Sequence, residues 1–336
     1  MKEREAMKHL VCLTVVSCLA SVLNADTTLL WSEEFNEDGA PDPAIWTYDL
    51  GDLGVNQELQ VYTADPGNVR VEGGNLVITA RGENNGGFTS GRIRSQNKIT
   101  FQYGRIEARI RIPDLGNGLW PAFWTLGNNF PKVGWPGCGE IDVLEMGSGS
   151  AINDGVVNRR SHSTAHWEIN GNHASYGGNI TMDEDLNDGF HIWTMEWTPD
   201  VIRTFVDGEY VWAINISNPD AFSGHEFHTP HFFIINLAVG GNFTGIFNSN
   251  GITAPLPAEY LIDYVRIYDN GHTILGGSGL EEDCPADING DGFVDAADLG
   301  LLLAAWGLQG NTDVNGDGMT DAADLGIVLA AWGQCS

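Results

Sequence analysis

Short runs of alternating hydrophobic and polar residues, separated by Gly, Asn, Asp and Pro, fill residues 29–269. Residues 104–112 alternate strictly, so Ile106, Ala108 and Ile110 share one face of a predicted strand and charged residues take the other. The pattern is that of a strand with one face in a hydrophobic core.

Two further runs, 75–80 and 201–206, are also typical of strands, and the Asp-Gly pair at 207–208 predicts a hairpin turn. No helical period in this region lasts beyond two turns. We therefore predict an all-β domain at 26–270, built as a two-sheet sandwich.

The C-terminal pattern differs and repeats itself. Residues 271–283 are rich in Gly and acidic residues and predict a flexible linker. In the predicted module at 284–336, the stretch 287–298 returns 26 residues later as 313–324, and each copy runs into LGxxLAAWG. Each copy predicts a loop and one helix, with the helices packing through two apolar stripes: Leu299, Leu302, Leu303 and Trp306, and Leu325, Val328, Leu329 and Trp332.

The N-terminus is typical of an export signal. Basic residues precede an apolar run from Leu10 to Leu23, and small residues end it near Ala25. We predict a signal peptide at 1–25 and a secreted protein. A lipoprotein-type cleavage box ending at Cys18 is the alternative, and it would leave the protein periplasmic or attached to the cell surface.

Composition and charge narrow the class of partner. Among 336 residues, 11 Trp and 43 Gly with only 18% charged residues favour a turn-rich β protein over a helical bundle. The net charge of −29 argues against nucleic acid or an anionic membrane as partner and favours a neutral over a sulfated polysaccharide. Much of this charge is local, since eleven Asp and Glu lie between Glu281 and Asp324 and no Lys or Arg follows Arg266.

The candidate chemistry concentrates in GEIDVLE at 139–145. In a regular strand Glu140 and Asp142 share a face, but Glu145 points the other way. A β-bulge between Asp142 and Glu145 would bring all three acids to one face, with the two Glu carboxyls about 5–6 Å apart. That separation is expected of a retaining glycosidase, and the neighbouring charges would keep Glu145 protonated as an acid. A solvated strand edge is the alternative for this short motif.

Around this strand the sequence resembles glycoside hydrolase family 16, in particular its laminarinase-type endo-β-1,3-glucanases. The resemblance covers residues 29–269. It rests on seven ordered segments: WSEEF (31–35), NQELQVYT (56–63), GLWPAFW (118–124), WPGCGEIDVLE (135–145), AHW (165–167), NLAVGGN (236–242) and IDYVRIY (262–268).

The resemblance implies a β-jelly-roll with a concave sheet forming an open cleft, and no cofactor for catalysis. It implies Glu140 as nucleophile, Asp142 as helper and Glu145 as acid/base. It also implies six substrate-binding residues: Asn56, Arg105, Trp120, Trp124, Trp135 and His166. Three alternatives stay open, namely a core position for Trp124, a solvated charge for Arg105 and a loop histidine at 166. Phe243 stands where the family usually has Trp, a departure that concerns subsite strength.

Metal sites are expected in two places. The resemblance implies one structural calcium at Asp263, where a capping Asp is the alternative. In the C-terminal repeat each loop offers oxygen ligands at EF-hand-like positions with Gly at position 6, which predicts two Ca²⁺ ions. The ligands are Asp287, Asn289, Asp291, Asp295 and Asp298, and Asp313, Asn315, Asp317, Asp321 and Asp324.

This repeat resembles a dockerin, which implies a cohesin-like scaffold protein as partner. Alanine pairs at 296–297 and 322–323 depart from the pattern, because these positions often carry polar residues that contact the partner. Cys284 and Cys335 bracket the module and predict a disulfide, whereas Cys138 is expected to be a free thiol.

The sequence thus favours a secreted, monomeric, retaining endo-β-1,3-glucanase. Three alternatives remain open: a mixed-linkage β-glucanase, an agarase-type galactanase of the same fold, and a non-catalytic β-glucan-binding protein. Such binding proteins lose catalytic acids, and this chain keeps all three. Hydrolysis and transglycosylation are not distinguished.

Overall fold

The structure is a computed structural model that describes residues 28–218, 225–278, 286–289, 293–310 and 312–334. The predicted signal peptide at 1–25, the predicted Cys284–Cys335 disulfide and Asp291 lie outside the described residues. Within these ranges, no helix is long and apolar enough to cross a membrane.

Two large sheets pack face to face, as the alternating pattern predicted. Strands are numbered in chain order across both sheets. The ten-stranded sheet, here the back sheet, contains β1 (Leu29–Glu33), β3 (Gln60–Tyr62), β4 (Val69–Val71), β5 (Leu76–Gly82), β6 (Phe88–Ser90), β9 (Gly104–Arg111), β14 (His191–Trp197), β15 (Val201–Val206), β16 (Glu209–Asn215) and β18 (Ala258–Tyr268).

The nine-stranded sheet, here the cleft sheet, contains β2 (Thr47–Tyr48), β7 (Arg92–Arg94), β8 (Thr100–Gln102), β10 (Leu119–Gly127), β11 (Glu140–Glu145), β12 (Arg160–Ile169), β13 (Asn172–Thr181), β17 (His231–Val239) and β19 (Ile274–Gly276). Along the main path the cleft sheet runs β13-β12-β11-β10-β17-β7-β2, so β11 is a central strand. Short helices α1 (Phe130–Val133) and α2 (Gly149–Asn153) flank it on either side in the sequence.

The core lies between the sheets, where alternate residues of each strand meet. In β9, Ile106, Ala108 and Ile110 are fully buried, which confirms the predicted face. The four tryptophans interpreted as core residues from the sequence, at 46, 193, 197 and 212, are all buried. The predicted hairpin at 207–208 joins β15 to β16, with positive φ angles at both turn residues.

The predicted linker at 271–283 is wrong in its first part. Residues 274–276 form β19, which pairs with β8 at the edge of the cleft sheet. The Gly-rich composition concealed this strand, in which Leu275 packs against the core while Ile274 is exposed. The first domain therefore continues past residue 270.

In the C-terminal repeat, helices α3 (Ala296–Ala304) and α4 (Ala322–Ala330) follow the two loops, and a short pair β20 (Phe293–Val294) and β21 (Gly333–Gln334) joins the repeat ends. Leu302 and Val328 are buried together with Ala286 and Val294. The predicted stripes are only half correct, because four of their members are about half exposed: Leu303, Trp306, Leu329 and Trp332. Each helix has only nine residues, so neither is long enough to cover all four positions of the stripe on the other helix.

Candidate active site

The three acids of β11 lie on one face because the strand contains the predicted bulge. Against β12, Asp142 pairs with Thr164 and Glu145 with His162, so three steps on β11 oppose two on β12. The register against β10 shifts at the same place. The extra residue returns Glu145 to the face of Glu140 and Asp142.

Backbone geometry at both ends of β11 requires glycine. Gly139 has a φ of +78°, and a Cβ there would lie 2.7 Å from Cβ of Glu226. Gly147 has a φ of +95°, and its Cβ would lie 1.9 Å from the carbonyl oxygen of Leu119. A side chain at either position would therefore be strained by its φ angle and would collide with a neighbouring residue.

Each acid has its own polar neighbour. The indole N–H of Trp135 donates to Glu140 Oε2 at 3.1 Å, and the indole N–H of Trp120 donates to Glu145 Oε1 at 3.1 Å. His166 Nε2 lies 3.1 Å from Asp142 Oδ2 and 3.8 Å from Glu140 Oε1. These contacts orient the two Glu side chains independently.

Burial and mutual repulsion raise the pKa values of all three acids. Desolvation and the charge of Asp142 raise the pKa of Glu140 to about 8, while His166 and the Trp135 N–H oppose the shift. Desolvation raises the pKa of Asp142 to about 8. Desolvation followed by the charges of both other acids raises the pKa of Glu145 well above its usual value. Glu145 is therefore suited to hold a proton and Glu140 to lose one first.

A cavity of about 390 Å³ lies over these acids on the outer face of the cleft sheet. Four of the six predicted substrate-binding residues line it, namely Asn56, Trp120, Trp124 and Trp135. Trp135 is 48% exposed and stands at the rim, where a sugar ring could stack on it. His166 contacts the acids from β12.

The other two tryptophans form the cavity wall. Trp120 is buried and stacks on Phe243 with ring centroids 5.0 Å apart, so the residue that departs from the family pattern supports a cleft residue. Trp124 is half-buried and donates to Asn236 Oδ1 at 2.8 Å. Trp124 is thus both a wall residue and a packed one.

Sequence reasoning missed three polar residues of the cavity, namely Glu58, Arg92 and Asn236. Glu58 accepts hydrogen bonds from Asn56 Nδ2 and the Tyr62 hydroxyl, while the Arg92 guanidinium lies 4.9 Å from the Trp124 ring centre. The signal for Asn236 was present, because it is a polar side chain in the middle of the wholly buried, otherwise apolar run 232–239 of β17.

The prediction that Arg105 binds substrate is wrong. Arg105 lies on β9 in the back sheet, where it forms an ion pair with Glu107 and stands 5.5 Å from the Tyr268 ring centre. It does not line the cavity. Alternation placed it on the correct face of its strand, but a strand pattern does not say which sheet carries the strand.

Two other predicted residues have defined surroundings. Asp263 forms an ion pair with Arg109 on the back sheet, and the calcium predicted at Asp263 stays a prediction. Cys138 is a free thiol, as expected; it is fully buried, and desolvation raises its pKa to about 12, which disfavours the reactive thiolate.

In the C-terminal loops, the position-12 residues Asp298 and Asp324 are buried and accept backbone N–H groups of their own loops. Asp295 and Asp321 cap α3 and α4. In the second loop Asp313 accepts the N–H groups of residues 317 and 318. These bonds curl each loop, and calcium binding stays a prediction.

Comparison with known proteins identifies one family of glycosidases. The family model for glycosyl hydrolases family 16 matches residues 56–250. A β-glucanase from Rhodothermus marinus is 37% identical over 286 residues, covering 80% of this chain and 96% of the relative.

Two solved structures share the fold. An endo-1,3-β-glucanase (laminarinase) catalytic domain from Thermotoga petrophila is 34% identical, with a TM-score of 0.62 over 74% of this chain and 99% of the other. A family 16 endo-glucanase from Bacteroides ovatus is 33% identical, with a TM-score of 0.64 over 71% of this chain and 100% of the other.

Proposed function

The chain belongs to glycosyl hydrolases family 16, and from this premise we propose that it cleaves β-1,3-glucan inside the polymer with retention of anomeric configuration. The bulge in β11 is the observation that carries the proposal. It places Glu140, Asp142 and Glu145 together under a cavity that holds stacking and hydrogen-bonding side chains. Two carboxyl groups on the same strand face that can flank a sugar linkage are the arrangement that double displacement needs.

In the first step a Glu140 oxygen forms a bond to the anomeric carbon as the bond to the leaving oxygen breaks. Glu145 gives its proton to that oxygen, so the leaving chain departs as a neutral alcohol. In the second step Glu145 takes a proton from water, the water oxygen bonds to the anomeric carbon, and Glu140 leaves as a carboxylate. His166 and the Trp135 N–H stabilise the ionised Glu140 before the first step and after the second.

The charge of the cavity supports a neutral substrate. Four acids line it, namely Glu58, Glu140, Asp142 and Glu145, against one base, Arg92. Arg92 is itself paired with Asp49 at 2.9 Å. A sulfated or uronate-containing glycan would therefore find no unpaired cation among these lining residues, whereas a neutral glucan needs none.

Product analysis tests the proposal directly. With laminarin, we expect oligosaccharides of several lengths early in the reaction, and NMR should show the β-anomer formed first because two displacements restore the configuration. An α-anomer as first product would contradict the mechanism. A higher rate on agarose or on mixed-linkage glucan than on laminarin would instead contradict only the linkage.

We also propose that the protein is exported through residues 1–25, which N-terminal sequencing of the mature protein would test.

A docking role toward a cohesin-like scaffold module is supported by four exposed apolar residues at equivalent positions of the two repeats: Leu303, Trp306, Leu329 and Trp332. Binding of such a purified module should be lost on Trp306→Ser with Trp332→Ser.

Calcium would hold the two C-terminal loops, whose side chains supply the hard oxygen donors that Ca²⁺ prefers. Calorimetric titration of the full chain should therefore give two bound Ca²⁺, and Asp313→Ala should give one fewer. A third ion would support the site at Asp263. Equal stoichiometry in wild type and Asp313→Ala would contradict calcium in the second loop.

A further inference from the structure

We propose that Glu140, Asp142 and His166 form a binding site for one divalent transition-metal ion, Zn²⁺ or Cu²⁺, and that the bound ion blocks the active site. One oxygen of each acid and one nitrogen of His166 lie within 4.8 Å of one another, and no other such group occurs in the described part of the chain. The inhibitory effect rests on the proposed function, whereas the binding does not.

The spacing of the ligand atoms suits one ion. His166 Nε2 lies 3.1 Å from Asp142 Oδ2 and 3.8 Å from Glu140 Oε1. Two ligand atoms at about 2.0–2.2 Å from a tetrahedral zinc ion stand about 3.3–3.6 Å apart. The two distances from His166 are therefore already close to those that one ion needs, and the two acid oxygens, which lie within 4.8 Å of each other, are near enough to share it.

Asp142 supplies the independent sign of a missing ligand. Its side chain is 6% exposed, and within the described structure no donor meets Oδ2 with hydrogen-bond geometry, although His166 Nε2 is near. A buried carboxylate oxygen without a donor is costly. An ion between Oδ2 and Nε2 would satisfy both lone pairs, because both atoms would then face a common point.

His173 completes the arrangement behind His166. Its Nε2 lies 2.8 Å from His166 Nδ1, and the two rings stack with centroids 5.1 Å apart. When His166 Nδ1–H donates to His173, the lone pair of His166 Nε2 is free for a metal. Ligand histidines usually have such a partner on the other ring nitrogen.

Charge and chemistry select the kind of ion. A dication would neutralise the two carboxylates, which have no ion-paired Lys or Arg within the described residues. One imidazole and two carboxylates favour Zn²⁺ or Cu²⁺ over Mg²⁺ or Ca²⁺, which prefer all-oxygen ligands. An ion on Glu140 would occupy the oxygen that attacks the sugar, so it should compete with glucan.

Zinc titration of the full chain, with Ca²⁺ present to saturate other oxygen sites, tests the proposal. We expect one tight Zn²⁺ site in wild type and its loss in Asp142→Asn. His173→Ala should weaken the site about 10–100-fold because it removes only the partner of the ligand. His272→Ala, at an exposed histidine in a turn outside the cavity, is the matched control and should change nothing.

Equal zinc affinity in wild type, Asp142→Asn and His173→Ala would overturn the proposal. Should Asp142→Asn fail to fold by thermal unfolding, the exposed His173 variant decides alone. Zinc binding without any laminarin hydrolysis would reject the proposed function and leave the metal site standing. Hydrolysis that zinc inhibits without competition from laminarin would reject the blocking effect.

Discussion

Glu140→Gln is expected to lower kcat/KM on laminarin by about 10⁴-fold or more, because the amide cannot form the glycosyl ester that splits the reaction into two steps. The substitution keeps the size of the side chain and its position beside the Trp135 indole, 3.1 Å from Oε2. Substrate binding should change little, so the loss should appear in kcat. Steady-state kinetics with a reducing-sugar assay measure both constants.

The same substitution, Glu140→Gln, should increase the stability of the fold although it lowers activity. The pKa of Glu140 is raised to about 8 in the folded protein. The contribution of this group to stability is therefore fully present below its ordinary pKa and is lost as the pH rises through about 8. The amide introduced by Glu140→Gln carries no charge, and the melting temperature at pH 8 should therefore rise by about 2–4 °C for each kcal/mol of relief. The gain should shrink at pH 5.

The control for this variant is Glu196→Gln, the same change at a partly exposed acid on β14 of the back sheet, where Glu196 lies 3.7 Å from Arg203. It should retain wild-type activity and show no pH-dependent gain. Should Glu140→Gln keep more than about a tenth of wild-type kcat, Glu140 would not be the nucleophile.

The catalytic strand was predictable in detail because two independent constraints agree on it. Ile141 and Val143 had to face the core, and Glu145 had to join Glu140, which only an extra residue between them allows. The structure places that bulge between Asp142 and Glu145, and all of the three apolar residues there, Ile141, Val143 and Leu144, are buried.

Residues that depend on sheet assembly were less predictable. Arg92 and Arg105 both lie on alternating strands, yet only Arg92 reaches the cavity, because β7 joins the cleft sheet and β9 the back sheet. Alternation fixes a face within a strand, but the pairing of distant strands decides which face meets the cleft. The same holds for His173, whose role depends on the register of β13 against β12.

The C-terminal helices show a limit of another kind. Helical spacing correctly gave Leu302 and Val328 as buried, but it also assigned burial to Trp306 and Trp332, which are about half exposed. Helical periodicity shows that the apolar residues form a continuous stripe on one face of a helix. It does not show how long the packing partner is, and therefore how much of the stripe is covered. The uncovered part of each stripe is what the docking proposal uses.

Glu145→Ala is expected to separate substrates by their leaving groups. On laminarin the rate should fall about 10²–10⁴-fold, because no group then protonates the departing sugar oxygen. A dinitrophenyl β-glucan oligosaccharide needs no such proton, since its phenolate leaves unaided. Its first step, seen as a burst of phenolate, should therefore stay near the wild-type rate.

The pH profile of kcat/KM should change in a defined direction. Desolvation and the other two acids raise the pKa of Glu145, so wild type should lose laminarin hydrolysis only as the pH rises through that elevated value. Glu145→Ala on the dinitrophenyl substrate should lack this alkaline loss, because no acid remains to be deprotonated. The loss of kcat/KM at acidic pH, which protonation of Glu140 causes, should remain in Glu145→Ala.

Azide gives the decisive product. In Glu145→Ala a small anion can enter the space left by the carboxyl and attack the anomeric carbon, and Glu140 then leaves as a carboxylate. This second displacement should yield the β-glycosyl azide and restore turnover, as NMR and the rate would show. Glu140→Ala with azide should give the α-azide instead, through one displacement. Exchanged products in the two variants would mean that the roles of Glu140 and Glu145 are reversed.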